Sequence, residues 1–302
     1  MGESLEGFIE ANRISFHYKY VFEEDRFSKP TLVVFPGGPG FGLALYEAQI
    51  SFLVNSVNIL FFDPRGCGET PAQGDEDCYT LEGYIEDAYC LTRSLGMELG
   101  FSKFILYGTS YGGMAALGFT IQHPELVTQL ILVSCAPSYH FFELARMELT
   151  ERGDKSQRRM CQSYLWPGKF SRITVTDYFR ELGPLYSRKV VKKTANPYDF
   201  PCNFQILNAA LRTEYGRFDF TPRLAEIECP TLIMAGKHDW ITPSSLAMTM
   251  QRAIPHSTMV IFSSAAHSIA KDVPEAFQAT VREFLVSASL TERRAARREF
   301  GS

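Results

Sequence analysis

The sequence predicts an α/β fold built on a doubly wound, mostly parallel sheet, and three observations carry that reading. Short apolar runs recur without polar alternation, segments with helical spacing separate them, and the alternation stops once, over some ninety residues. Strands covered on both faces lose the polar alternation of a half-buried strand, and helices lying between them are the crossovers that parallel pairing requires.

The first element predicted is a hairpin, from GFIEANRISFHYKYV between Gly7 and Val21, with Asn12-Arg13 at its turn. The buried strands follow at Thr31 to Phe35 (TLVVF), Val57 to Phe62 (VNILFF), Phe104 to Tyr107 (FILY), Gln129 to Val133 (QLILV), Thr231 to Ala235 (TLIMA) and Thr258 to Phe262 (TMVIF). Helical spacing marks Leu81 to Leu99, Gly112 to His123, Pro243 to Ile254 and Val273 to Val286. Between Pro137 and Pro230 the chain turns aromatic and charged, with Phe141, Phe142, Tyr164 and Trp166 among its residues, and reads as a helical insertion after one strand. The expected organisation is a core of residues 1–136 and 230–290, a helical cap over 137–229 and a basic tail over 291–302. The closing EFGS reads as a cloning scar and is set aside.

Composition narrows the function. A net charge of −4 in 302 residues gives no basic field, which argues against nucleic acid as a partner. No apolar stretch reaches the ~18 residues of a membrane span, and the start MGESLEGFIE lacks a cationic segment followed by an apolar run. Seven scattered cysteines, with no CxxC pair, read as reduced thiols in a cytoplasmic protein. Neither a metal nor a cofactor is expected, because His and Cys show no ligand spacing and no phosphate-cradling glycine motif is present.

Gly108-Thr109-Ser110-Tyr111-Gly112 matches GxSxG, a pattern that small glycines and serines also produce by chance. Its setting gives it meaning: a buried strand enters and a helix leaves, the strand-turn-helix context of a nucleophile elbow. A serine hydroxyl needs an imidazole to take its proton, and the imidazole needs a carboxylate to fix its tautomer. Asp239 follows the strand TLIMA and His267 follows TMVIF, so each sits just past a strand's carboxyl end, as Ser110 does. In a parallel sheet those ends share one edge, where residues remote in sequence converge. Asp219, in GRFDFTP, imitates the Asp239 setting but follows no buried strand, and His123 reads as a helix-closing residue.

Pro36-Gly37-Gly38-Pro39-Gly40 comes directly after the strand TLVVF, where backbone N–H groups can face a developing oxyanion. One donor is assigned to Gly38, with Gly37 as a further candidate, and the other to Tyr111. Arg65, in DPRGCG, reads as a salt bridge holding its loop in preference to a clamp on substrate.

Taken together, PGGPG, DPRGCG, GTSYGG, GKHDWITP and AAHS resemble the α/β-hydrolase superfamily, and within it the proline iminopeptidase (prolyl aminopeptidase) family. The resemblance covers Thr31 to Pro137 and Pro230 to Val286. It implies an eight-stranded α/β-hydrolase core with a helical cap, Ser110, Asp239 and His267 as a triad, and a small-molecule or short-peptide substrate. The sequence departs from that family at Pro36, where His is usual, at Tyr111, where Trp is common, and at Trp240, where some members place a Glu that holds the substrate's α-ammonium. Glu214 in the insertion is the carboxylate nominated for that task, and Trp240 is taken as a further substrate contact. The expected activity is release of N-terminal proline or small apolar residues, with ester or lactone hydrolysis, carbon-carbon bond hydrolysis and a non-catalytic binding role as rivals.

Overall fold

The computed structural model describes residues 3–23, 26–74, 78–189, 201–214 and 217–299, excluding the side chains of 214 and 288–299. Strands β1 (Glu3–Ala11) and β2 (Ile14–Phe22) form the predicted hairpin. Its turn residues Asn12 and Arg13 both take positive φ, at 46° and 63°, the backbone twist that a two-residue hairpin turn favours. Then come β3 (Thr31–Phe35), β4 (Asn58–Phe62), β5 (Phe104–Thr109), β6 (Val127–Val133), β7 (Thr231–Gly236) and β8 (Ser257–Phe262). The eight strands lie in the order β1-β2-β4-β3-β5-β6-β7-β8. Pairing is antiparallel in the first two steps and parallel in every later one.

The unbroken apolar runs have their cause in burial on two sides. In β3, Val33 and Phe35 join one core while Leu32 and Val34 join the other, and β5 and β6 divide their side chains in the same way. On the first face lie α2 (Leu81–Leu99), α3 (Tyr111–Gln122) and α8 (Ser244–Ala253). On the second lie α1 (Ala44–Ile50), which the sequence reading did not single out, and α10 (Pro274–Glu299). Helix α10 packs through Phe277, Val281, Phe284 and Leu285, an i, i+4, i+7, i+8 stripe. Its residues Arg293 to Arg298, the basic run, have side chains outside the described residues. Helix α2 starts where Thr80 Oγ1 accepts the Gly83 N–H at 3.0 Å and stops at Gly100, whose φ is 84°.

Strand β8 departs from the expectation of a fully covered strand. It is the sheet edge, and Thr258 and Ile261 are exposed. The sequence run does not distinguish it from its neighbours because its successive residues Met259 and Val260 still pack against one core each.

Between β6 and β7 the described chain forms α4 (Phe141–Arg152), α5 (Lys155–Met160), α6 (Arg172–Tyr186) and α7 (Phe204–Glu214). Helices α5 and α6 each begin with a capping box, at Asp154 with Gln157 and at Ser171 with Thr174.

Asp63, just past β4, ties its own loop to the loop after β3 and to strand β2. It is 2 % exposed, and its carboxylate accepts the Leu43 N–H at 2.6 Å, the Glu69 N–H at 2.9 Å and a bond from His17 Nδ1 at 2.7 Å. Replacing it strands two buried donors and a third that is partly buried, so Asp63→Ala is expected to lower unfolding free energy by about 3 to 5 kcal/mol. Urea unfolding followed by circular dichroism measures this, and a loss under about 1 kcal/mol would contradict the anchoring role.

Candidate active site

The site is assembled by register. Phe35 is abreast of Gly108, Thr109 of Val133, and Gly236 of Phe262, so the chain leaves β3, β5, β7 and β8 along one edge. Ser110 stands between β5 and α3 with φ 54° and ψ −123°, a backbone region that non-glycine residues avoid. Its N–H donates to the Val133 carbonyl at 2.9 Å, which continues the β5–β6 pairing through the strained residue. Two glycines let the neighbouring segments close in. A Cβ at Gly112 would stand 2.2 Å from the Phe35 carbonyl oxygen, and one at Gly37 would stand 2.5 Å from the Thr109 oxygen and 3.1 Å from Ser110 Cβ. The loop after β3 therefore touches the turn after β5 backbone to backbone.

Asp239 is 2 % exposed and accepts four hydrogen bonds. Oδ1 takes the N–H groups of Ile241 and Thr242, each at 3.0 Å, and Oδ2 takes the Thr242 hydroxyl at 2.8 Å. The fourth bond joins Oδ2 to His267 Nδ1 at 2.8 Å. With an acceptor-only carboxylate there, Nδ1 carries the proton of the neutral ring and Nε2 keeps its lone pair. The backbone around the histidine is also held: Ser134 Oγ donates to the His267 carbonyl at 2.9 Å. Tyr186 meets the imidazole edge to face, with centroids 5.4 Å apart. Its hydroxyl bonds that of Tyr178 at 2.7 Å, and burial pushes both phenol pKa values up. Sequence reasoning missed Thr242, Ser134 and Tyr186, because only the folded partners give them a role.

Ser110, Tyr111, Gly38 and His267 all line one cavity of about 380 Å³, and Asp239 stands behind the imidazole. Much of the rest of the wall is aromatic and aliphatic, with Phe41 and Met114 from the core and Phe141, Tyr178, Leu207 and Phe218 from the chain between β6 and β7, while Gln49, Thr242 and Lys271 add polar groups. Gly37 differs from Gly38. Its backbone faces the Tyr46 hydroxyl, the group whose deprotonation burial makes hard.

Two sequence expectations need correction or lie out of view. Trp240 does not line the cavity; it is fully buried behind it, ring to ring with Tyr186 at 5.6 Å and Trp166 at 6.5 Å. The resemblance gave its place in the chain, but a large apolar ring next to a buried carboxylate turns inward. The side chain of Glu214 lies outside the described residues. Of the other acids in the insertion, Glu148 pairs with Arg152 at 2.9 Å and Glu143 is exposed beside His140. Arg65 forms a two-pronged pair with Asp87, at 2.6 and 2.7 Å, as its salt-bridge reading required. Asp219 is exposed and accepts the Thr221 N–H at 2.9 Å, and His123 stacks on Tyr89 at 4.0 Å; neither lines the cavity. All seven cysteines are free, and burial pushes the Cys67 thiol up to about 12, away from thiolate chemistry. Among the described residues no helix is long and apolar enough to cross a membrane, and no three His, Cys, Asp or Glu side chains cluster as metal ligands.

A Gly112→Ala change sets a methyl against two backbone carbonyls that cannot retreat. It is expected to cost about 3 kcal/mol of stability, and a thermal midpoint equal to the unchanged protein's would refute the close approach.

Comparison with known proteins agrees with this architecture. A family model described as "alpha/beta hydrolase fold" matches residues 30–158, and one described as "TAP-like protein" matches residues 218–296. The proline iminopeptidase of Saccharolobus solfataricus is 25% identical over 294 residues, covering 93% of this chain and 92% of the relative. Among solved structures, the proline iminopeptidase of Mycobacterium smegmatis superposes with a TM-score of 0.76 at 20% identity, over 95% of this chain and 100% of its own. An esterase from Exiguobacterium antarcticum does so with a TM-score of 0.69 at 19% identity, over 93% and 99%. The chain is thus an α/β-hydrolase-fold protein that resembles the proline iminopeptidase family.

Proposed function

We propose that this protein is a serine hydrolase working through Ser110, His267 and Asp239, and that it releases N-terminal proline or small apolar residues from peptides or amides. The observation that carries the reading is the 2.8 Å bond from His267 Nδ1 to Asp239, which leaves Nε2 as a base in the same cavity as the strained Ser110. His267 takes the hydroxyl proton as Ser110 attacks the substrate carbonyl, and Asp239 stabilises the imidazolium that forms. The backbone N–H groups of Gly38 and Tyr111 hold the oxyanion, a contribution of about 2.7 to 4 kcal/mol for each donor. Gly37 is left out of that pair because its backbone is turned to Tyr46. His267 then protonates the leaving amine, and water releases the acyl group from Ser110 by the reverse path. The names of the relatives and the apolar wall both support a small apolar acyl residue.

One observation favours a second reading, hydrolysis of esters or lactones. Among the described lining residues the only permanently charged side chain is Lys271, which suits an uncharged or anionic substrate better than a cationic N-terminus. Glu214, three residues past the lining residue Leu211, is the candidate ammonium partner that would restore the balance.

Ser110→Ala is expected to lower turnover of proline p-nitroanilide at least about 1000-fold, with folding unchanged by circular dichroism. Wild-type protein that cleaves p-nitrophenyl acetate but not the anilide would replace the aminopeptidase reading with the ester one. Glu214→Gln separates the two on the binding side. If Glu214 holds the α-ammonium, KM for the anilide rises about 10- to 100-fold while ester kinetics stay put; an unchanged KM removes Glu214 from the site.

A further inference from the structure

A buried carboxylate five residues beyond His267 has no part in the chemistry so far. Asp272 closes the short helix α9 (Ile269–Asp272) and is 7 % exposed. Its two oxygens face different parts of the molecule. Oδ2 accepts the N–H of Ala266, the residue directly before the histidine, at 2.8 Å. Oδ1 accepts from the stretch just past α6: the Ser187 hydroxyl at 2.6 Å, the Arg188 N–H at 2.9 Å and the Lys189 N–H at 3.3 Å.

The same two stretches meet a second time. The Ser268 N–H donates to the Tyr186 carbonyl at 2.9 Å, while the Tyr186 ring packs on the imidazole and lines the cavity. Three successive residues of the histidine loop are therefore fixed from outside it. Ala266 is held by Asp272, His267 by Ser134 and Ser268 by Tyr186. Two of those three contacts trace to the junction that ends α6. A carboxylate binding several N–H and O–H donors in the interior fixes both partners in direction as well as distance, because each bond weakens steeply when bent.

We propose that Asp272 is a positioning residue that locks the His267 loop to the end of α6, so that the imidazole and the aromatic wall contributed by Tyr186 keep one mutual placement. The role rests on the reading of Ser110 and His267 as nucleophile and base. Asp272 touches no reacting atom. It acts through the Ala266 peptide and the Ser187–Lys189 backbone, and misplacement of a base by about 1 Å costs on the order of 100-fold in rate.

The test uses a fluorophosphonate probe, which labels an activated serine without needing the physiological substrate. Asp272→Asn turns an NH2 group toward one of the two donor sets and breaks the lock on that side. The maximal labelling rate of Ser110 is expected to fall about 10- to 100-fold, with the probe's half-saturating concentration and the far-ultraviolet circular dichroism spectrum unchanged. A merely structural role would lower the melting temperature and leave the maximal rate of the folded fraction alone, and that result would overturn the proposal. If Asp272→Asn does not fold, Ser187→Ala removes the 2.6 Å bond on the α6 side alone. It is expected to slow labelling about 3-fold, and an unchanged rate overturns the proposal equally. Failure of the underlying reading looks different: the wild-type protein itself would not be labelled at Ser110, which would remove the base that Asp272 is said to place.

Discussion

Everything at the site depends on one backbone constraint, the positive φ of Ser110 at the end of β5. A strand that runs straight into a helix has to reverse within one residue, and the strain falls on that residue. It persists because the surroundings fix both sides. The Ser110 N–H is tied to β6, and the loop after β3 lies so close that the flanking glycines have no room for a side chain. The sheet pairing that puts β3 beside β5 is therefore also what brings the Gly37 backbone next to the serine.

Asp63, Asp239 and Asp272 show one device used three times. Each is a buried carboxylate near the carboxyl edge of the sheet, and each gathers backbone N–H groups, Asp239 from its own loop and Asp63 and Asp272 also from segments distant in sequence. A loop carries many unsatisfied donors, and an acceptor-only group with two oxygens answers several at once. Asp63 and Asp239 each add an imidazole to their partners, His17 and His267, but only His267 lines the cavity, so there the chemistry that ties the chain together also orients a ring at the site.

The strands and most core helices were legible because burial leaves a periodic mark on the sequence, and Asp239 and His267 were legible because each directly follows such a mark. The edge position of β8 was not, since its composition matches that of the covered strands while its exposure depends on what pairs with it. Helix α1 escaped because seven residues give too few turns to show a period. Thr242, Ser134 and Asp272 are ordinary polar residues whose partners lie up to 133 positions away, and no local pattern signals that. Trp240 was misread for a related reason: its neighbour in sequence is at the site, yet the direction of its ring is set by Trp166 and Tyr186.

The cavity wall has two origins, the loops of the sheet edge on one side and the chain between β6 and β7 on the other. Ser110 and His267 come from the first, and apolar side chains such as Phe141, Tyr178, Leu207 and Phe218 come from the second. Sequence change in the second region can therefore reshape the cavity while Ser110 and His267 keep their places. A lineage built this way can explore new substrates by swapping upholstery without rebuilding the frame, and residues such as Leu207 and Phe218 are where a designer would begin the same exploration.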